Sequence, residues 1–457
     1  MILAKRNLRY YYWLLLEFVK KHGRLITFSF FLSLISIIGF LSVSPYLKVI
    51  SAKQEIIGIV GSYDFNTVPD EILQKITNGL VTITKKGEII PVVANSWEAR
   101  SEGREYRLHL KEELVWNDGK KFKAGDIDYR FKDIGLKVID DKTIDFYLDK
   151  PLAIFPTYLN KPLIRYPLNG VAGLYKVGKI KLNRGYLKEL TLIPNVKNLS
   201  PIKYKFYNNE SQLVDAYKKG EISEMTINKK AVADTFLNWK NSQVQKEVDY
   251  SKEMVIFLNS KNNLLTDKNT KDALMMAVDY EILANFGEVA KGSIPPNSWA
   301  YNPNLKSNVY DLETAEKIIK NEITASDSAK INLITYYDYY DIADELINKF
   351  KAIGLSIDLR IISYNVPEDF DMFLAYWKVP PDPDQYYFWH STQAKESQGG
   401  NIGSYKNVKV DQLLEEGRST INLEEREKYY FDLQKIMADD PPAIFLYYPY
   451  VYTIRRK

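Results

Sequence analysis

A run of nineteen uncharged residues near the amino terminus constrains this chain more than any other feature. The run, LITFSFFLSLISIIGFLSV, extends from Leu25 to Val43. As a helix it would span roughly 28 Å at 1.5 Å per residue, close to the hydrocarbon thickness of a bilayer. Six basic residues and one acid, Glu17, precede it within the first 24 residues. The sequence therefore predicts a basic stub at 1–24 and a transmembrane anchor at 25–47.

A retained anchor fits this segment better than a cleaved signal peptide. The apolar run is longer than the roughly 7 to 15 residues of a signal, and only a weak cleavage site, near Val49 to Ser51, follows it. The positive charges before the helix predict that the stub lies in the cytoplasm and that everything after Ser51 lies outside, with the protein in the cell membrane as a single-pass chain. A cleaved signal and a buried core helix stay open as alternatives.

The net charge of +4 belongs to the stub. The chain has 62 Lys and Arg against 58 Asp and Glu, but from Ser51 onward it has 55 basic and 57 acidic residues, a formal charge of −2. A near-neutral body argues against nucleic acid as a partner. Cysteine is absent, which excludes disulfides, thiolate metal sites and the acylated cysteine of a lipoprotein. The predicted helix would therefore do the tethering.

Strand patterns and helix patterns alternate along the body, which predicts a mixed α/β fold. Tyr106 to Leu110 and Thr143 to Leu148 alternate apolar and polar residues, as half-buried strands do. Four apolar runs predict deeper strands: Val255 to Leu258, Ile331 to Thr335, Ile357 to Ile362 and Met372 to Trp377.

Three helices are predicted in the second half of the body. Thr270 to Phe286 has one apolar stripe, and so does the segment from Ile342 to Phe350. Asn422 is a candidate cap for a third helix that runs toward Pro441, with Glu425 reaching back to the cap amide. A strand-like link near Lys252 to Asn259 suggests two α/β lobes with a cleft between them.

No enzyme class has a local signature in this sequence. Phosphate loops, dinucleotide turns and nucleophile elbows are absent, and no histidine pair has metal-ligand spacing. His109 lies on an alternating strand, and His390 has no Ser or Cys partner. Paired carboxylates such as Asp382 and Asp384 also occur, but their spacing in the sequence does not tell the catalytic pair of a glycosidase from solvated surface carboxylates. We therefore expect a protein that is not an enzyme and needs no cofactor or metal.

Five blocks in register over some 400 residues resemble the family 5 extracellular solute-binding proteins, the oligopeptide- and dipeptide-binding group of ABC importers. The strongest block is GEIIPVVANSWEARSEGREYRLHLKEELVWNDGKKFKAGDIDYRF, from Gly87 to Phe131. The others are Thr270 to Leu283, Tyr310 to Lys320, Ala343 to Leu359 and Asp369 to Phe388.

The resemblance implies a periplasmic-binding-protein-like clamshell of type II, with lobe I at 52–250, lobe II at 255–445 and a return strand to lobe I at 446–457. It also implies capture of an oligopeptide or another small solute for an ABC permease in the membrane, and we expect a monomer. Two alternatives stay open: the same fold binding a non-peptide ligand, such as a glycan, or acting as a sensor, and an extracytoplasmic enzyme or envelope-assembly protein.

The resemblance also suggests where the ligand binds. The family has an Asp that pairs with the peptide ammonium, and Val379 falls at or near its place, while Asn78 stands where the family has a Glu. Asp382 or Asp384 could substitute for the missing carboxylate, or both could cap a turn made rigid by proline. The predicted ligand-binding residues are Asn78, Tyr376, Trp377, Asp382, Asp384 and Tyr386.

Overall fold

The structure is a computed structural model that describes residues 12–25, 27–34, 36–37, 54–322, 330–363, 365–367, 369–394 and 399–457. The chain forms two compact units, Met1–Glu55 with Asn198–Pro201, and Ile56–Lys197 with Ile202–Lys457.

The first unit contains helical residues at 12–25, 27–34 and 36–37. No helix within the described part of the chain is both long and apolar enough to cross a bilayer. The anchor predicted at 25–47 lies partly outside the described residues, at 26, 35 and 38–47. Of the predicted stub, residues 1–11 lie outside them as well.

The second unit is the mixed α/β body that the sequence predicts. Its helices are α1 Asp70–Ile76, α2 Phe155–Tyr158, α3 Glu210–Lys219, α4 Lys230–Asp234, α5 Asn263–Thr266, α6 Lys268–Met276, α7 Tyr280–Leu283, α8 Leu312–Glu322, α9 Tyr340–Ala352, α10 Tyr386–Trp389, α11 Val408–Ser419 and α12 Leu423–Asp439. Its strands are β1 Glu55–Val60, β2 Val81–Ile83, β3 Ile89–Pro91, β4 Ala94–Arg100, β5 Glu105–Leu110, β6 Ile134–Val138, β7 Thr143–Leu148, β8 Ile164–Arg165, β9 Asn169–Gly170, β10 Tyr175–Asn183, β11 Tyr186–Pro194, β12 Ile202–Tyr207, β13 Glu224–Ile227, β14 Ser242–Val248, β15 Lys252–Leu258, β16 Gly287–Val289, β17 Lys330–Tyr336, β18 Ser356–Ile362, β19 Met372–Lys378 and β20 Ala443–Arg456.

One sheet of twelve strands runs through this unit in the order β10-β11-β12-β1-β13-β20-β15-β19-β17-β18, and β14 and β16 also pair with β20. A separate four-stranded sheet has the order β4-β5-β7-β6. All six strands predicted from the sequence are present, as β5, β7, β15, β17, β18 and β19.

The hydrophobic cores fall into two groups that share no residue. Two cores lie on opposite faces of β15, one around Met254, Ile256 and Leu258, the other around Val255 and Phe257. Both draw on residues from 254 to 448. The remaining cores draw on residues 68–236 together with Tyr452 and Ile454 of β20. The lobe boundaries given above stay a prediction, but residues 254–448 form cores that share no residue with the cores of 68–236, Tyr452 and Ile454.

The single helix predicted from Thr270 to Phe286 is wrong, because the segment forms two helices. Asp279 has non-helical angles (φ −84°, ψ 90°), and its carboxylate accepts a hydrogen bond from the Ile282 amide at 3.3 Å, so it caps α7 instead of continuing α6. Phe286, predicted to face the core, is exposed.

The other two helix predictions are confirmed. The apolar stripe of α9 is buried from Ile342 to Phe350. The Asn422 side chain accepts from the Glu425 amide at 3.0 Å and begins α12, which ends two residues before Pro441. The predicted return bond from Glu425 to the cap is not found, because its carboxylate accepts from the Tyr429 hydroxyl at 3.3 Å.

We expect Leu446→Ala to destabilise the protein strongly, because Leu446 on β20 is fully buried in the core on one face of β15. Truncating such a leucine costs about 2–5 kcal/mol in lost transfer energy and cavity formation. Leu182→Ala is the matched control, since Leu182 is also on a strand but 48% exposed. Urea unfolding followed by tryptophan fluorescence measures both variants. Equal urea midpoints for the two variants would contradict the conclusion that Leu446 stabilises this core.

Candidate ligand-binding site

The second half of β19 presents an open strand edge. β19 pairs with β15 along its whole length, from Met372 opposite Leu258 to Lys378 opposite Lys252. On its other side β17 pairs only with residues 372–374, because β17 ends at Tyr336 and the chain turns through a 3-10 helix, Tyr337–Tyr339, into α9. Among the described residues, 375–378 therefore have a strand neighbour on one side only.

The backbone groups of Tyr376 and Lys378 point toward that open edge. The Val379 amide donates to the Ser251 carbonyl at 2.9 Å, on the β15 side. Because the backbone groups of successive strand residues face opposite edges, those of residues 376 and 378 face away from β15. Such an edge is a template on which an extended chain can add as a further strand.

Tyrosine rings line the surface beside this edge. The Tyr376 ring lies edge-on to Tyr339 with centroids 5.2 Å apart, and its hydroxyl is 3.3 Å from that of Tyr447. Tyr336 contacts Tyr339 in the same way at 6.0 Å. The Lys252 ammonium, 5.5 Å above the Tyr376 ring, already pairs with Asp249 at 3.3 Å. The surface therefore offers rings and hydroxyls with little unbalanced charge.

Burial keeps these phenols neutral. It raises the pKa of Tyr376 to about 12, and it raises the pKa of Tyr339 and of Tyr447 as well. At neutral pH each hydroxyl can thus both donate and accept a hydrogen bond.

Trp377 faces the opposite side of β19 from Tyr376, as strand alternation requires. It is buried, its ring packs on Phe388 with centroids 4.8 Å apart, and its Nε1 donates to Glu253 at 2.9 Å. Burial raises the pKa of Glu253 well above its usual range. The structure thus separates two residues that the sequence analysis grouped, and it gives Trp377 a place in the core.

Both predicted carboxylates are already paired with arginines. Asp382 is 2.9 Å from the Arg426 guanidinium, and both side chains are buried. Asp384 is 3.1 Å from Arg418. Burial raises the pKa of Asp384 against the opposing attraction of Arg418.

The same two carboxylates also shape the turn after Pro380. Asp382 accepts from the amide of Asp384 at 3.0 Å, and Asp384 accepts from the amide of Tyr386 at 3.2 Å. This is the arrangement of a capped turn, one of the two alternatives left open for these residues. Neither side chain is a free anion that could receive a ligand ammonium.

Tyr386 and Asn78 also contact protein groups. The Tyr386 ring stacks on His390 at 4.0 Å and lies under the Arg418 guanidinium at 4.1 Å. The Asn78 side-chain amide donates to the carbonyl of Ala172 at 2.8 Å, and its backbone amide to that of Val171 at 3.1 Å. Of the six predicted residues, the structure brings together Asp382, Asp384 and Tyr386, and it leaves Tyr376 at the open edge.

The sequence analysis missed the residues that join the two predicted lobes. Asn297 donates to the Lys85 carbonyl at 2.7 Å, and the Trp299 amide donates to that of Lys86 at 3.2 Å. The Ala153 amide donates to the Arg418 carbonyl at 2.8 Å. These partners are more than 200 residues apart, so no local pattern announces them.

Two further observations concern possible metal sites and cavities in the described residues. Within the described ranges, no three His, Asp or Glu side chains are placed to hold a metal ion. A cavity of about 450 Å³, lined by Lys291, Lys306 and Phe445 among others, lies elsewhere and includes none of the six predicted residues.

Comparison with known proteins identifies the relatives of this chain. A family model described as bacterial extracellular solute-binding proteins, family 5 Middle, matches residues 88–399, more than half of the chain. The oligopeptide-binding protein AppA of Bacillus subtilis is 30% identical over 222 residues, an alignment that spans 42% of this chain and 40% of AppA. The dipeptide-binding protein of Escherichia coli is 23% identical over an alignment of 482 residues, 87% of this chain and 86% of its own length.

Solved structures share the fold. NikZ of Campylobacter jejuni, in complex with Ni(L-His), has a TM-score of 0.73 at 23% identity, covering 89% of this chain and 94% of NikZ. Bacillus subtilis AppA, in complex with a nonapeptide, has a TM-score of 0.69 at 21% identity, covering 88% and 94%. The body is therefore a two-lobed α/β fold of the periplasmic-binding-protein type, as the sequence predicts.

We expect Asp382→Ala to lower the free energy of unfolding, because it leaves the buried Arg426 guanidinium without its carboxylate. Breaking a buried pair in this way costs about 3–5 kcal/mol, whereas an exposed pair is worth about 0–1 kcal/mol. Asp358→Ala is the control, since Asp358 pairs with Lys330 at 3.3 Å on the surface. Urea unfolding compares the two. A variant at 382 with full stability and lost ligand binding would assign Asp382 to the ligand instead.

Proposed function

This chain belongs to the family 5 bacterial extracellular solute-binding proteins, and from that premise we propose that it captures oligopeptides outside the cytoplasm and delivers them to the permease of an ABC importer. The observation that carries the peptide assignment is the open edge of β19 at residues 375–378. Two relatives named above are described by the peptides they bind, which supports the same ligand class.

Main-chain recognition explains how such a site accepts varied peptides. Backbone N–H and C=O groups of a peptide are the same in every sequence, so a strand edge binds them without regard to side chains. The tyrosines at 336, 339 and 376 then supply stacking and hydroxyl contacts that any side chain can share.

The proposed mode does not depend on the peptide's amino-terminal ammonium. Asp382 and Asp384 are held by Arg426 and Arg418, and Val379, at the position where the family's carboxylate is expected, is buried. An ammonium would therefore find no unpaired carboxylate in this turn. Peptides with a blocked amino terminus fit the site as well as free ones.

The second candidate is a non-peptide ligand held on the same surface. It is favoured by the same pairing of Asp382 and Asp384, because an uncharged, tyrosine-lined surface also suits a glycan. A sensor that reports ligand to a partner would use the same closure. Catalysis is the least supported reading, since the family consists of solute-binding proteins.

We further propose that the segment at 25–47 stays attached as a single-pass anchor, and that the body works as a monomer beside its permease. Hinge closure on a ligand gives the closed form a higher ligand affinity, so that occupancy becomes a shape that a permease can recognise.

A proline at residue 378 tests the open edge directly. Lys378→Pro removes the outward N–H while leaving the β15 side of β19 intact, whereas Lys378→Ala keeps that N–H and is the matched control. Losing one main-chain hydrogen bond of about 1 kcal/mol, together with the poorer fit of the ring, predicts roughly tenfold weaker peptide binding for the proline variant.

The measurement uses full-length chain in mild detergent, offered a tryptic peptide mixture of which half is amino-terminally acetylated. We expect mass spectrometry to show enrichment of both halves of the mixture. We also expect peptide to raise the melting temperature of the wild type and of Lys378→Ala by more than it raises that of Lys378→Pro. Equal retention by the two variants would remove the edge from the site. A shift with glycans but none with peptides favours the second candidate, and chemical change of a bound compound favours an enzyme.

Membrane orientation has its own test. A reporter that is active only outside the cytoplasm, fused after Lys457, should be active, because the basic residues before Leu25 keep the amino terminus inside. Removing positive charge is the control: replacing Lys20, Lys21 and Arg24 with Gln should reduce the fraction of the fused reporter that is active. Activity of a cytoplasm-dependent reporter at the same fusion point would contradict the orientation.

A further inference from the structure

A second cavity, of about 500 Å³, lies at the far end of β15 from the open edge. At the start of β15, Lys252 lies opposite Lys378 of the open edge. At the other end, Ser260 of the cavity wall comes two residues after Leu258, the last residue of β15. Six residues of strand at 3.3 Å each separate the two ends by roughly 20 Å. The cavity is thus distinct from the proposed peptide site.

Three lysines line this cavity, and one of them is almost fully buried. The Lys271 side chain is 5% exposed, and its ammonium donates to Asp440 at 2.6 Å. An ammonium carries three protons, and in the described part of the chain Asp440 is its one acceptor. The Tyr405 ring lies 5.9 Å from the same ammonium, within reach of a weak cation–π contact. The buried cation therefore still has N–H groups that an acceptor entering the cavity would satisfy.

The single carboxylate among the lining residues, Asp440, already has donors around it. It accepts from Lys271 at 2.6 Å and from the Asn407 side-chain amide at 3.2 Å. The Tyr405 hydroxyl lies 3.0 Å from the Asp440 backbone carbonyl and 3.3 Å from its carboxylate. Burial raises the pKa of Tyr405, so its hydroxyl stays protonated and donates. Asp440 thereby balances the charge of Lys271.

The remaining two lysines leave the cavity positive. Lys261 and Lys406 are exposed and make no ion pair with any described residue, so the wall carries a net charge of about +2 once Lys271 and Asp440 cancel. Ser260 and Ser404 also line the cavity and add two hydroxyl-bearing side chains to it. The lining thus combines lysine and serine donors with a single carboxylate.

We propose that this cavity is a second binding site, for a phosphate-type oxyanion carried by a small phosphomonoester or phosphodiester. A tetrahedral oxyanion offers more accepting oxygens to this set of donors, and a larger negative charge to the two unpaired lysines, than a planar carboxylate does. The volume exceeds that of the anion alone and leaves room for a polar organic group. Both a soluble phosphate ester and the headgroup of an anionic lipid present this chemistry.

The test measures phosphate binding to the full-length chain by isothermal titration calorimetry at low salt, in a buffer free of other oxyanions. Lys261→Gln with Lys406→Gln should weaken binding of inorganic phosphate at least tenfold. Lys291→Gln with Lys306→Gln is the matched control, because those lysines line the other cavity of the same region and the change in charge is identical. The control should bind within about twofold of the wild type.

A second pair tests the buried cation. Lys271→Gln with Asp440→Asn replaces the buried ammonium by a neutral amide and removes its counter-charge at the same time, and it should weaken phosphate binding at least fivefold. A melting curve verifies that each variant is folded. If the variant at 271 and 440 does not fold, the variant at 261 and 406 still tests the proposal.

Two probes distinguish the sources of the anion. Tighter binding of inorganic phosphate than of glycerophosphoglycerol points to a soluble phosphate compound, and the reverse order points to a lipid headgroup. No saturable binding of either probe to the wild type, or an equal loss in the control pair, would overturn the proposal. Capture of peptides should be the same in the wild type and in the variants at 261 and 406, so that failure here is separable from failure of the peptide assignment.

Discussion

The hydrogen-bond ladder of β20 is the interaction on which the rest of the body depends. Its residues 443–449 pair with β15 and β16, and from Tyr450 onward its other partners are β13 and β14. Burial changes at the same place: the first seven residues are buried on both faces, and the later ones alternate. Pro449, which has no N–H, marks the changeover. One strand thus belongs to both groups of separately packed cores, and any movement between the two groups has to be absorbed near this point.

The open edge of β19 follows from the same arrangement. β15 is held between β20 and β19, buried on both faces, so the position of β19 is fixed along its full length from one side. β17, on the other side, leaves the sheet early because residues Tyr337–Tyr339 turn into α9. The result is a strand that is held on one side and unpaired at one end. Such an edge favours binding, because the strand loses little conformational entropy when a further chain pairs with it.

Local patterns predicted the elements of this fold well, and pairings over long separations were out of their reach. Strand alternation and apolar runs found β5, β7 and β19, and a capping residue found the start of α12. The helix prediction that was wrong failed on Asp279, whose preference for capping outweighed a continuous apolar stripe. At the site, Arg426 and Arg418, the partners of Asp382 and Asp384, lie 44 and 34 residues further along the chain. The local pattern therefore showed the two carboxylates but not the arginines that pair with them.

Charge at the two surfaces depends on how many cations each carboxylate meets. In the turn after Pro380, two carboxylates meet two arginines, and no charge is left for a ligand. In the cavity at the far end of β15, one carboxylate pairs with one of the three lining lysines, and the other two leave positive charge. A ligand at the strand edge must therefore bring hydrogen-bonding groups, whereas an occupant of the cavity must bring negative charge. Because one surface has its charges paired and the other does not, a compound suited to one surface has no electrostatic reason to bind the other.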